Sequence, residues 1–246
     1  MSTVSEFPDG GFSFLRGVFP YSQGVAALPG YAIERARFAV PMPLAEGFRF
    51  IAAYLARLGR PKTAFCACEL RSPKPFTFEG FAEFNRGYVA VLEDWQLFRQ
   101  GVNPVARSNV APVIDPPREP CFHAFSYTVE RAGASSTFVV AGSGEWPEGG
   151  KFPDDIVARG DTSEAGMRAK AALVLDAMER RMRSLGGFTW KDASAVQVYS
   201  GYRFPVEDIV RRAGPALQWN YCRPPIEGLD FEMDVRGLST ELVLRS

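Results

Sequence analysis

Near the end of the chain, Leu229, Phe231, Met233 and Val235 alternate with Asp230, Glu232 and Asp234, the period-two pattern of a strand with one buried and one polar face. Three carboxylates on one side of a strand repel one another unless an arginine or a substrate compensates. A carboxylate so placed has its pKa raised towards the range of a general acid or base. Glu232, at the centre, is therefore the candidate catalytic group, with a solvated acidic sheet face as the alternative reading. Arg223, just upstream in Cys222-Arg223, is the arginine that precedes this acidic run, and a guanidinium fork fixes both the charge and the orientation of a carboxylate. The structural alternative for Arg223 is a surface position. Tyr21 offers a hydroxyl to the same ligand, or simply packs. Asn220, Trp146 and Trp219 are candidates to line the pocket.

Other chemistries find less support. Cys66 and Cys68 sit two apart in a strand-like run, with only Cys121, Cys222 and His123 left to complete a metal site, and none of these has zinc-ligand spacing. Buried, inert thiols and no metal are expected. The single histidine leaves Ser-His-Asp or Cys-His catalysis to His123 alone. No Gly-rich phosphate loop occurs, so no cofactor is expected. Lys plus Arg balances Asp plus Glu at 28 each, which favours neither nucleic acid nor an anionic membrane as partner. No apolar run is long enough to span a bilayer, and the first residues lack the basic and apolar regions of a signal peptide. A cytoplasmic location is the expectation.

The elements that must position these residues repeat. Leu44, Phe48, Ile51, Leu55 and Leu58 form one stripe of a helix stopped by Gly59-Arg60-Pro61. Ala171, Leu175, Met178, Met182 and Leu185 repeat the same steps, stopped by Gly186-Gly187, with capping residues at Asp161-Thr162-Ser163-Glu164. Each helix is followed by a strand (64–70; 193–199), a second helix (78–92; 205–213) and a closing strand (121–130; 229–236). The offset is about half the chain, which implies an internal duplication. Two β-α-β-α-β units give an α+β fold with mixed sheets and helices on one face. The expected domains are residues 1–131 and 132–246, separated near Arg131-Ala132-Gly133-Ala134-Ser135-Ser136.

These motifs resemble the RidA (YjgF) superfamily in both halves. In the first half, Phe19-Pro20-Tyr21-Ser22-Gln23-Gly24 is similar to the family's opening segment and Pro104-Val105-Ala106-Arg107-Ser108 to its Pro-Ala-Arg-Ser segment. In the second, Phe138 to Gly144 resembles its early strand and turn, and Phe231-Glu232-Met233-Asp234 its closing acidic strand. The resemblance implies two tandem RidA-like (chorismate-mutase-like) domains in a homotrimer. It also implies a site in which arginine holds a substrate carboxylate and glutamate positions water to hydrolyse an imine or enamine. The first half keeps the arginine as Arg107, with an ion pair to Asp115 or Glu119 as its structural alternative, but has Cys121-Phe122-His123 in place of the acidic strand. The second half keeps the acid as Glu232 but has Leu217 at the arginine position. Either one composite pocket unites the halves or another arginine, Arg223, takes the role. Cys222-Arg223 followed by Phe231-Glu232 is also similar to the end of chorismatases, tandem RidA-like hydrolases of an enolpyruvyl ether.

The expected activity is hydrolytic deamination of a small carboxylated imine or enamine, aminomuconate-like or 2-aminoacrylate-like. The alternatives are a chorismatase-like hydrolase and a metabolite-binding protein without turnover.

Overall fold

The computed structural model of the chain describes residues 3–133 and 135–245. Ala134, within the expected boundary segment, lies outside them, as do Met1 and Ser2. Three short strands open the chain, β1 (Val4–Phe7), β2 (Phe12–Leu15) and β3 (Gly24–Ala27), followed by the long β4 (Tyr31–Pro43), helix α1 (Leu44–Arg57), β5 (Phe65–Arg71), α2 (Phe78–Asp94), β6 (Ala106–Pro112) and β7 (Cys121–Glu130). The second half comprises β8 (Phe138–Gly144), α3 (Glu164–Gly186), β9 (Ala195–Tyr199), α4 (Val206–Ala213), β10 (Leu217–Asn220), β11 (Cys222–Arg223), β12 (Glu232–Gly237) and β13 (Glu241–Leu244).

The helices form where apolar stripes and caps dictate. In α1, Phe48, Ile51 and Leu55 are buried, whereas Leu58 falls beyond the helix and is exposed. Gly59 follows at φ +67°, the left-handed conformation that ends a helix at little cost for glycine. Ser163 caps α3 by accepting the Gly166 N–H, and Gly187 closes it at φ +73°. All five apolar stripe residues of α3 are buried. Thr77 caps α2 by accepting the Gly80 N–H.

The strands make two mixed sheets, ordered β1-β2-β3-β8-β12-β9-β10 and β11-β6-β5-β7-β4-β13. Within them the order β10-β9-β12-β8 repeats β6-β5-β7-β4, direction for direction: β5/β6 and β9/β10 are parallel, the other pairs antiparallel. Helices α1 and α2 cover one sheet, α3 and α4 the other, each over its own apolar core. Segments also cross between the halves. The β1–β3 hairpins join the second half's sheet through β3 and β8, while β13 pairs with β4 and β11 with β6.

The faces turned away from the helices meet in a buried polar layer. Arg35 donates two bonds to Glu69, at 2.6 and 2.8 Å, and a third to Glu241 at 3.0 Å. Arg236 also donates to Glu241, and Arg71 lies over the Tyr199 ring. Glu232 and Asp234 project into this layer, both 4 % exposed, while Phe231, Met233 and Val235 pack beneath α3. The alternation predicted for 229–235 fails at Asp230, because the strand begins only at Glu232. Asp230 pairs instead with Lys170 of α3. No helix of the described residues is long and apolar enough to cross a membrane.

Candidate active site

Strand β6 brings Arg107 and Asn109 to the α2 side, while Ser108 between them points into the polar layer and donates to Asp234 at 2.7 Å. Arg107 is 3 % exposed. Its Nη2 donates to Asn85 Oδ1 of α2 at 2.6 Å, and its guanidinium lies 4.6 Å from the Tyr88 ring, 5.1 Å from Tyr21 and 5.6 Å from both Phe81 and Phe84. Neither Asp115 nor Glu119 pairs with it, and Nη1 has no hydrogen-bond partner. A buried cation held by rings and an amide, with no ion pair among the described residues, is costly unless a ligand anion completes it.

Tyr21 reaches this place on a segment tethered to both halves. Ser22 N–H donates to Val105 O and Asn103 Nδ2 to Pro20 O on one side, and Ala141 N–H donates to Gln23 O on the other. Burial raises the Tyr21 hydroxyl, with Arg107 pulling the other way.

Glu232 arrives from the second half. Its carboxyl lies against Gly142 of β8, where a Cβ would overlap Oε1. Burial pushes its pKa well above the usual carboxylate range, and Asp234 and Glu145 add to the rise against Arg71 and Arg107. Asp234 is held by Ser108, Tyr199 (2.8 Å) and Gln197 (3.2 Å). Behind the strand, Glu145 accepts the backbone N–H groups of Asp230 (2.6 Å) and Phe231 (3.1 Å), fixing the entry to Glu232. Burial raises Glu145 to about 7 despite these donors and Lys170.

Arg107, Tyr21 and Glu232 line one cavity of about 460 Å³, together with Asn109, Trp146, Ile226 and Leu229. Arg181 of α3 also reaches it, but donates to Glu148 Oε1 and Ala141 O. A cationic anchor and a protonatable carboxyl thus face a largely apolar space, an arrangement suited to proton transfer on a carboxylated substrate.

The other candidates lie elsewhere. Arg223 is exposed on β11 opposite Ala111. Asn220 of β10 is half-buried with its amide 3.5 Å from Gln197 Oε1, and Trp219 is exposed. Cys66 and Cys68 are buried, and burial pushes the Cys68 thiol up to about 12. His123 is lowered to about 3, first by burial and then by Arg71. Among the described residues no cluster of three His, Cys, Asp or Glu could hold a metal. Sequence reasoning missed Asn85, Asn109 and Gly142. The period-two rule applied from Arg107 would have pointed to Asn109. Nothing local marks Asn85, and Gly142 sits in a Gly-Ser-Gly run too short to carry a motif.

Comparison with known proteins agrees with this chemistry. The chain is 46% identical over 252 residues to a 2-amino-5-chloromuconate deaminase of Comamonas testosteroni, an alignment covering 97% of this chain and 98% of that protein. Among solved structures, a chorismatase shares the fold at a TM-score of 0.50 with 12% identity, covering 96% of this chain and 85% of the other. The family described as 2-aminomuconate deaminase CnbZ matches residues 4–242, and the chain belongs to that family of hydrolytic deaminases.

Proposed function

We propose that this deaminase hydrolyses a 2-aminomuconate-type enamine, with Arg107 holding the carboxylate beside the amine-bearing carbon and Glu232 moving the protons. The observation that carries the reading is the meeting of Arg107 and Glu232, one from each half, in one cavity. Protonated Glu232 gives its proton to the enamine carbon next to the amine-bearing carbon, and the carbon–carbon double bond becomes a carbon–nitrogen one. The carboxylate so formed takes a proton from water as the water oxygen bonds to the amine-bearing carbon. That proton passes to nitrogen, and as the carbon–nitrogen bond breaks the Glu232 carboxylate takes the proton of the new hydroxyl, so that ammonia leaves, a 2-oxo acid remains and Glu232 is protonated again. Water is consumed and nothing is oxidised. Positioned proton transfer contributes roughly a hundredfold to ten-thousandfold, and Arg107 stabilises the carboxylate throughout.

The repeated strand order supports a tandem RidA-like duplication, in which each half contributes the part of the site that the other has lost. A homotrimer belongs to the same reading. Exposed Tyr202, Trp219 and Tyr221 near the β10 edge suit an interface, and light scattering at the mass of a single chain would remove this part.

The test is ammonia release from freshly generated 2-aminomuconate and 2-aminoacrylate, wild type beside Glu232→Gln. Release from the former that falls at least a hundredfold in a folded variant supports the proposal. Release unchanged in the variant overturns the role of Glu232, and none above the spontaneous rate overturns the substrate.

A further inference from the structure

Among the described residues four side-chain nitrogens are buried without a hydrogen-bond partner, and three of them, Arg107 Nη1, Asn109 Nδ2 and Trp146 Nε1, belong to residues that line the same cavity, the fourth being Arg236 Nη1 in the polar layer. Buried donors are rarely left unmade, because each forfeits its bonds to water. Three in one cavity mark where acceptors are missing. One carboxylate beside Arg107 satisfies only the first.

We infer that the cavity grips both ends of a conjugated dicarboxylate, Arg107 taking the carboxylate beside the amine-bearing carbon and Asn109 and Trp146 hydrogen-bonding the carboxylate at the far end. The inference rests on the proposed function and adds to it the residues that select for the second acid group. Asn109 is 3 % exposed, and its amide is oriented by Ser72 Oγ, which donates to Oδ1 at 2.9 Å and leaves Nδ2 for a ligand. The Trp146 ring is set by edge contacts with Phe78 and Phe152. Arg107 and Asn109 stand two residues apart on one strand, a rise on the order of 7 Å, comparable to the length of a muconate skeleton. Phe81, Ile226 and Leu229 line the same cavity, an apolar surface suited to the diene. Arg181 does not compete for the far end, because Glu148 and Ala141 O occupy its donors.

Calorimetric binding of muconate and of sorbate tests this, since sorbate has the same diene with one carboxylate and neither molecule carries an amine to be turned over. Asn109→Asp keeps the acceptor for Ser72 and turns the free donor into a repelling oxygen, and Trp146→Phe keeps a ring and removes the N–H. Muconate is expected to bind wild type at least tenfold tighter than sorbate. Asn109→Asp should weaken muconate tenfold or more and Trp146→Phe severalfold, with sorbate unchanged within twofold. A preference that persists in both variants overturns the inference, as does an equal loss of both ligands, the mark of a merely structural role. Ammonia release plays no part in this readout, so a failure of the role of Glu232 would leave it standing.

Discussion

At the residue scale, burial makes the Glu232 carboxyl prefer to be neutral. An acid whose folded pKa is raised holds its proton more tightly in the native state than in the unfolded chain. Stability is therefore full below the unfolded value near 4.3 and declines as pH rises towards the folded one. For Glu232 two outcomes follow. Glu232→Gln, which removes an ionisable group that burial penalises, should melt above wild type at about pH 7, with the gap closing towards about pH 4. The kcat/KM of the wild type should fall as pH rises through the same raised pKa, because the proposed first step needs the protonated form. A Tm difference independent of pH, or a rate that rises with pH, would show that Glu232 is ionised at rest. Gly142→Ala should place a methyl group over Glu232 Oε1 and lower kcat by about a hundredfold, with an unchanged circular dichroism spectrum. Glu232 stood out as a candidate because charge alternates with apolar residues around it, and Arg107 because its segment resembles the RidA Pro-Ala-Arg-Ser run. Asn109 did not, because a lone amide resembles any surface residue until its burial is known.

At the scale of elements, the apolar stripes of α1 and α3 were plain in the sequence, since a 3.6-residue period identifies a helix whatever it packs against. Short edge strands were not. Val4–Phe7 and Glu241–Leu244 each have four residues, too few for alternation to speak. Nor could the pattern show that α3 carries a lysine inward. Lys170 is fully buried between Glu145 and Asp230. Lys170→Met should leave buried Glu145 and half-buried Asp230 without their cation and cost on the order of 3–5 kcal/mol, measured by chemical denaturation. Because Glu145 also holds the backbone before Glu232, activity at low temperature should fall along with stability.

At the scale of the whole molecule, a recurring order of helices and strands was readable from repeated spacing, but the partners of each strand were not. Periodicity shows that a segment is a strand and is silent on which edge it joins. Gly24 pairs with Val140 and Glu241 with Arg35, so each half completes the other's sheet. Residues 1–131 and 132–246 produced separately should fail to give cooperative unfolding transitions, and mixing them should restore structure and deamination together. A half that melts cooperatively alone would show that the exchanged strands are ornament.

The pairing of β13 with β4 also governs when the protein can become itself. The bond from Arg35 to Glu241 joins positions 206 apart, so the sheet that holds β4 stays unfinished until β13 has been synthesised. Contacts so distant in sequence make folding slow, and open strand edges invite association while it lasts. The nascent chain therefore depends on whatever shields it on the ribosome, and its yield should be more sensitive to translation speed and chaperone supply than the stability of the finished enzyme suggests.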